Sequence, residues 1–282
     1  MVIIKNNQAR ETVRNKDYLR YSKLQHYFSC PHAYKLSQTY DPVFNVSNKN
    51  QMMKGVIFET FALDMNDSRA QSVKEEYAKR GTIGKMRFGT VERIIKSANK
   101  VKPWILTKEK LNEEIKVLVT LNGVQHTLAG NPDVVGLVQL PGMDEPIRAI
   151  SDTKYTGNLE RVWGNKKSKS DFLQAIIYPY IWFLLTGEYL PFIYIIAEHT
   201  KDEFEPVIDH KIIISKPDDF KWMHNALEMI TGDTRYRPNV SHYSCLGQGN
   251  MMGKCRFLSF CEYGKKLQSG TTVIQFENLD NR

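Results

Sequence analysis

The chain has no long hydrophobic run. Its longest nearly apolar stretch, Ile176 to Leu185, spans ten residues, about half of what a bilayer-crossing helix requires. The first residues, Met-Val-Ile-Ile-Lys-Asn-Asn, lack the extended apolar core of a secretory signal. Both absences argue against a membrane partner and predict a cytoplasmic protein. Cysteine is scarce, with four among 282 residues, which excludes a small disulfide-stapled fold and leaves reduced thiols to be explained. Internal repeats, low-complexity segments and a clean linker are missing as well. An excess of acid is also absent. The formal net charge is +8, which favours a polyanionic partner. What remains is 41% hydrophobic and 25% charged, the composition of an ordinary globular protein long enough to bury a substantial core.

The most informative stretch runs from Gly130 to Lys154. It begins Gly130-Asn131-Pro132-Asp133, continues through an apolar run, and ends Ile150-Ser151-Asp152-Thr153-Lys154. Side chains alternate along a strand, so Asp152 and Lys154 share one face. If the preceding run pairs back antiparallel, Asp133 reaches the same place. Two converging carboxylates suit a hard divalent cation such as Mg²⁺. A neighbouring lysine can orient water or steady a charged transition state. Together these groups could hydrolyse a phosphodiester. The plainer reading of an Asp-x-Lys strand is a solvated face.

Residues 1–20 are polar and weakly patterned, and are expected to be a loose lead-in. Tyr21 to Gln38 reads as helix capped by Ser22, interrupted at Cys30-Pro31. Asp41 to Lys49 reads as loop, and Gln51 to Met65 as helix. Gly55 inside that helix suggests a close approach, with Glu59 one turn on. Residues 67–100 carry more helix rich in Lys and Arg, read either as a solvated or as a DNA-facing surface. Glu114 to Thr120 and Val124 to Ala129 read as a hairpin closed by Asn122-Gly123. Val134 to Leu140 and Ile147 to Tyr155 continue it as a meander.

The segment 156–170 is a polar loop holding Arg161, Trp163, Lys166, Lys167 and Lys169. An aromatic among cations suits a nucleic-acid backbone with a base to stack on; a solvated loop is the alternative. Asp171 is a candidate cap for a helix reaching Leu185, with Gln174 and Tyr178 one turn apart. Pro179 should kink that helix or shift its start. Pro191 to Glu198 and Val207 to Ile214 read as apolar strands, and Lys216 to Thr231 as helix. Arg235 to Gly264 is irregular and contains three of the four cysteines.

Taken in order, several short motifs stand out: Cys30-Pro31-His32-Ala33-Tyr34, Gly55 to Glu59, Gly130 to Asp133, Asp152-Thr153-Lys154, and Gln174 to Tyr178. This series resembles the PD-(D/E)XK nuclease superfamily, in its RecB-like branch. That branch includes the iron–sulfur nucleases of CRISPR spacer acquisition and of AddB-type recombination enzymes. The resemblance covers about Tyr21 to Tyr263. It implies an α/β fold: a central mixed β-sheet flanked by helices, restriction-endonuclease-like, with a C-terminal cysteine lobe joined to the N-terminal helix. One nuclease domain over 1–282 is expected, helical over 20–110, with the catalytic sheet and helix over 111–215 and the cysteine lobe over 216–282.

The implied activity is metal-dependent DNA hydrolysis, as an exonuclease on ends or single strands with endonuclease activity also open. The implied partners are DNA and other recombination or CRISPR proteins. The alternative is an inactive DNA-binding accessory subunit that keeps the fold. By the same resemblance, Asp133 and Asp152 ligate Mg²⁺ or Mn²⁺, with the Thr153 carbonyl as a further donor. Lys154 positions water, while Gln174 and Tyr178 hold the DNA backbone or brace the lysine. Glu59 replaces the family's usual histidine; a carboxylate there favours Mg²⁺, or else stands outside the metal shell.

The resemblance also implies that Cys30, Cys245, Cys255 and Cys261 bind a 4Fe–4S cluster joining the two ends of the domain. Five residues separate Cys255 from Cys261, as in the family. Nine separate Cys245 from Cys255, more than the usual two, and three of those nine are glycine. Zinc is the alternative occupant of four thiolates, and four buried free thiols the remaining one.

Overall fold

The computed structural model describes residues 18–40, 46–160, 163, 172–198, 205–236, 255, 257, 258, 260–263 and 265, with side chains of the third helix from residue 50 onward. The class is α/β. A five-stranded mixed sheet has the order β2-β5-β6-β7-β8, and a separate three-stranded sheet has the order β1-β4-β3. Their strands are β1 (Leu19–Arg20), β2 (Lys110–Leu111), β3 (Ile115–Leu121), β4 (Val124–Gly130), β5 (Val134–Val138), β6 (Ile147–Thr156), β7 (Phe192–Glu198) and β8 (Ile208–Ile213). The described helices are α1 (Tyr21–Ser29), α2 (Pro31–Thr39), α3 (Val46–Ala62), α4 (Ser68–Arg80), α5 (Phe88–Val101), α6 (Leu173–Thr186) and α7 (Pro217–Gly232). None of them is long and apolar enough to cross a membrane.

The large sheet separates two apolar cores. On one face, α3, α4 and α5 cover Val134, Ala149, Tyr155, Ile193 and Ile195. On the other, α1, α6 and α7 join the small sheet over Val135, Ile150, Phe192, Tyr194 and Ile196. Burial on both faces explains why β7 is apolar at nearly every position. β6 pairs antiparallel with β5 and parallel with β7, and α6 makes the crossover.

The Asn122-Gly123 hairpin forms as the sequence predicts. Both residues take positive φ, 50° and 76°, and Leu121 faces Val124 across the turn. The break at Cys30-Pro31 is also present, with α2 starting at Pro31. Other expectations change. The four strands are not one meander: the hairpin belongs to the small sheet, and the chain changes sheets between Gly130 and Val134. Leu19–Arg20 is not loose lead-in but pairs in parallel with Leu128 and Ala129. Arg20 rather than Ser22 precedes the first helical residue. Residues 46–49 are helical, not loop. β8 is a half-exposed edge strand rather than a buried one, with Ile212 and Ile214 open to solvent. Gly55 has no neighbour within 4 Å of where a Cβ would stand, so no close approach explains it.

Pro179 lies inside α6, and the helix continues through it. A proline there cannot bond the carbonyl four residues back. That carbonyl, on Ala175, instead accepts from the Ser215 hydroxyl at 3.3 Å.

Gly136 is where the sheet tolerates no side chain. A Cβ there would stand 2.1 Å from the Thr107 carbonyl oxygen. Thr107 is held to β5 by its own amide and by its hydroxyl, which accepts from the Leu137 N–H at 2.8 Å. Gly136→Ala should therefore destabilise the fold by about 3 kcal/mol, read from urea denaturation. A variant with the parent midpoint would contradict this packing.

Candidate active site

The strand register decides where the acids lie. Val134 faces Ser151 and Val135 faces Ile150 across β5 and β6. One step further places Asp133 opposite Asp152. Directly opposed residues share a face, and Val135 and Ile150 both enter the core beside α6. Asp133, Asp152 and Lys154 thus lie on the α6 side of the sheet. Asp152 and Lys154 form an ion pair, Oδ2 to Nζ.

Asp133 is fixed by its own strand break. Its Oδ2 accepts from the Thr153 N–H at 2.7 Å and from the Thr153 hydroxyl at 2.9 Å. The reason is legible in the ladder. The Ile150 N–H donates toward β7, to the Pro191 carbonyl. Alternation then turns the peptide groups of Ser151 and Thr153 toward β5. The residue in register with Thr153 is Pro132, which has no N–H to give. The ladder stops there, the Thr153 N–H takes a carboxylate instead, and the Thr153 carbonyl has no donor from that position. Asp133 is also anchored at its backbone, where its carbonyl accepts from the Asn112 N–H at 2.9 Å.

Asp152 is 2% exposed. Its Oδ1 accepts from Gln174 Nε2 at 2.6 Å. Its Oδ2 is paired with the Lys154 ammonium. Burial, reinforced by the charge of Asp133, pushes the Asp152 carboxyl up to about 7 against the pull of Lys154 and Gln174. Burial alone would push Lys154 down. The two carboxylates outweigh it and hold the ammonium above its usual range.

α6 supplies the second layer. Gln174 and Tyr178 are both 6% exposed. Burial pushes the Tyr178 phenol up to about 12, against the pull of the Gln174 side chain and the Asn131 backbone. Its ring lies against the backbone of Gly130, where a Cβ would approach two ring carbons to 2.7 Å. The glycine of the Gly-x-x-Asp motif is therefore a seat for Tyr178. Gln174 braces the acid rather than the lysine.

Other expected residues fall elsewhere. Glu59 is on α3, which packs against the face carrying Tyr155, not the face carrying Asp152. Among the described residues no three His, Cys, Asp or Glu side chains gather as a metal site, so the structure brings together two acids, not three. Trp163 is buried against Tyr194, with ring centroids 4.7 Å apart; this corrects its expected role as an exposed stacking platform. Arg161, Lys166, Lys167, Lys169 and Cys245 lie outside the described residues, as does Asp171. On the helical face beyond, Lys96 and Lys100 both pair with Glu205.

Cys30, Cys255 and Cys261 are thiols of intermediate exposure. The segments that carry them do meet. Phe257 is buried edge-on to His26, Tyr263 meets His32 and Phe260 stacks on Tyr40, with centroids 5.1, 5.3 and 4.4 Å apart. The C-terminal residues thus pack on α1 and α2, on both sides of Cys30.

Sequence reasoning missed Tyr21 and Tyr194. Tyr194 faces Asp152 across the parallel pair β6–β7 and is 2% exposed. Burial and the nearby charge of Asp152 push its hydroxyl above the usual phenol range. Only the sheet order reveals this neighbour.

No family model and no curated protein match the chain. Among solved structures it is similar to a Eubacterium rectale protein that carries a provisional exonuclease assignment. Identity is 15%, with 85% of this chain and 90% of that one covered at a TM-score of 0.45. The protein SSO0001 is 10% identical, with 89% and 88% covered at a TM-score of 0.42. Scheffersomyces stipitis Rai1, solved with 3′-NADP⁺ and calcium, is 12% identical, with 94% and 61% covered at a TM-score of 0.23. All three scores are below 0.5, so the chemistry has to be read from the side chains themselves.

Proposed function

We propose that the protein is a metal-dependent deoxyribonuclease that hydrolyses phosphodiester bonds at DNA ends or in single strands. The observation carrying this reading is the convergence of Asp133, Asp152 and Lys154 on one face, with Asp152 buried and its Oδ2 ion-paired to the Lys154 ammonium. A hard cation fits such a donor set: two carboxylates and the Thr153 carbonyl, all oxygen. A bound Mg²⁺ or Mn²⁺ would lower the pKa of a water and shield the charge of the scissile phosphate.

The protein's own groups do the rest. Gln174 holds Asp152 Oδ1, which fixes the plane of the carboxylate and the direction of Oδ2. Thr153 fixes Asp133 in the same way. The Lys154 ammonium orients the attacking water and balances charge on the phosphoryl oxygens. Water adds to phosphorus in line, the bond to the 3′ oxygen breaks, and a 5′ phosphate remains. The net charge of +8 draws a polyanion toward this site.

Cleavage of end-labelled single- and double-stranded DNA, with circular controls, in Mg²⁺ and in Mn²⁺ tests the proposal. Metal-dependent products ending in 5′ phosphate are expected. DNA that stays intact in both metals would reject it.

The same reading includes the 4Fe–4S cluster, with zinc as the other candidate. Its support is the arrangement of one early and three late cysteines, and the packing of the C-terminal residues around Cys30. Protein purified without oxygen should contain about four iron atoms per chain, as a cubane cluster demands. Folded protein containing neither iron nor zinc would remove the metal lobe from the account and leave the acid site untouched.

A further inference from the structure

Tyr21 is the first residue of α1, at the end of β1. The register that pairs Leu19 with Leu128 and Arg20 with Ala129 brings Tyr21 alongside Gly130. Gly130 in turn carries the Tyr178 ring, and α1 packs on α6. A short parallel strand thus delivers one more phenol to the acid site. Its charged neighbours are Lys154 and Asp152, and burial pushes its hydroxyl above the usual phenol range.

Three tyrosines now surround the acids, and exposure separates them. Tyr178 and Tyr194 are 6% and 2% exposed. With Asp152 and Gln174 they form a closed floor. Tyr21 is only partly buried, and the Lys154 side chain is 37% exposed. Tyr21 and Lys154 therefore make the solvent-facing rim, where an incoming ligand arrives first. A neutral phenol donates one hydrogen bond. Beside an ammonium, the acceptor that suits it best is an anionic oxygen that Lys154 attracts to the same place.

We infer that Tyr21 is a substrate-contacting residue whose hydroxyl donates to a non-bridging phosphate oxygen of a nucleic-acid strand at the mouth of the site. The inference rests on the hydrolase reading for its ligand class, but it concerns binding and can fail separately. Tyr21→Phe keeps the ring and its packing and removes the donor alone.

Binding of a short fluorescein-labelled oligothymidylate in EDTA, followed by anisotropy, measures the contact without turnover. Losing one hydrogen bond to a charged group should weaken binding roughly tenfold, with an unchanged melting temperature. With a methylphosphonate oligonucleotide, which keeps one non-bridging oxygen but carries no charge, the difference between parent and variant should shrink to a few-fold or less. Equal affinity of parent and Tyr21→Phe for the natural strand would overturn the inference. So would a loss of the same size on the methylphosphonate strand. A parent that binds but never cleaves in metal tells against the hydrolase reading and leaves the contact standing.

Discussion

Replacing Lys154 with alanine should lower metal-supported DNA cleavage roughly 10²- to 10³-fold, the loss typical of one charge-stabilising donor. Lys154 shares a face with Asp152 and ion-pairs with it, and both acids hold its ammonium protonated. No neighbouring cation replaces it within the described part of the site. The fold should survive. The Lys154 side chain is more than a third exposed, so water screens its end of the ion pair. Asp152, already pushed up to about 7, can take a proton once the ammonium has gone. Single-turnover rates with excess enzyme, read beside a melting curve, separate the two effects. A variant that cleaves within a few-fold of the parent would remove Lys154 from the chemistry. One that no longer folds would show that the ion pair holds the sheet together.

Metal affinity should fall as pH drops below neutrality, approaching tenfold per unit and reaching about 50-fold between pH 7 and pH 5. The cause is proton competition at Asp152. Burial and the charge of Asp133 keep its carboxyl protonated up to about 7, and a cation needs the carboxylate. Below that value each unit of pH removes nine-tenths of the competent form; above it the affinity levels off. The linked effect on stability has the opposite sense to a salt-bridged acid. Protonated Asp152 favours the fold fully below the unfolded value near 4. That contribution is lost as pH rises toward about 7. Calorimetric titration of metal-stripped protein at four pH values from 5 to 8 measures the first effect. An affinity independent of pH over that range would mean that Asp152 is ionised throughout and that its burial has been misread.

The parts of the fold legible in the sequence were those with local causes. Asn122-Gly123 sets its own turn through two positive φ angles, and Cys30-Pro31 breaks its helix through a missing N–H. The alternation Asp152-Thr153-Lys154 placed acid and lysine on one face without any tertiary information. Sheet order was not local. Nothing in the run from Glu114 to Leu140 shows that the chain leaves one sheet and enters another at Gly130. Equally, the apolar residues of β8 do not announce an edge strand.

In the site, spacing foresaw that Gln174 and Tyr178 stand together, since one helical turn separates them. It could not foresee that Gln174 would bind Asp152. The place of Glu59 was also hidden, because a helix pattern does not say which face of a sheet it will cover. Gly130 shows the same limit. In the sequence it only opens the Gly130 to Asp133 motif, yet its demand comes from a tyrosine ring 48 residues later in the chain.

The shared cation is the centre of the account, and a Mn²⁺ titration of metal-stripped protein, followed by electron paramagnetic resonance, tests it most directly. One tight Mn²⁺ site per chain is expected in the parent, lost on Asp133→Ala and lost again, independently, on Asp152→Ala. A parent that binds no Mn²⁺, or a site that neither substitution disturbs, would contradict it.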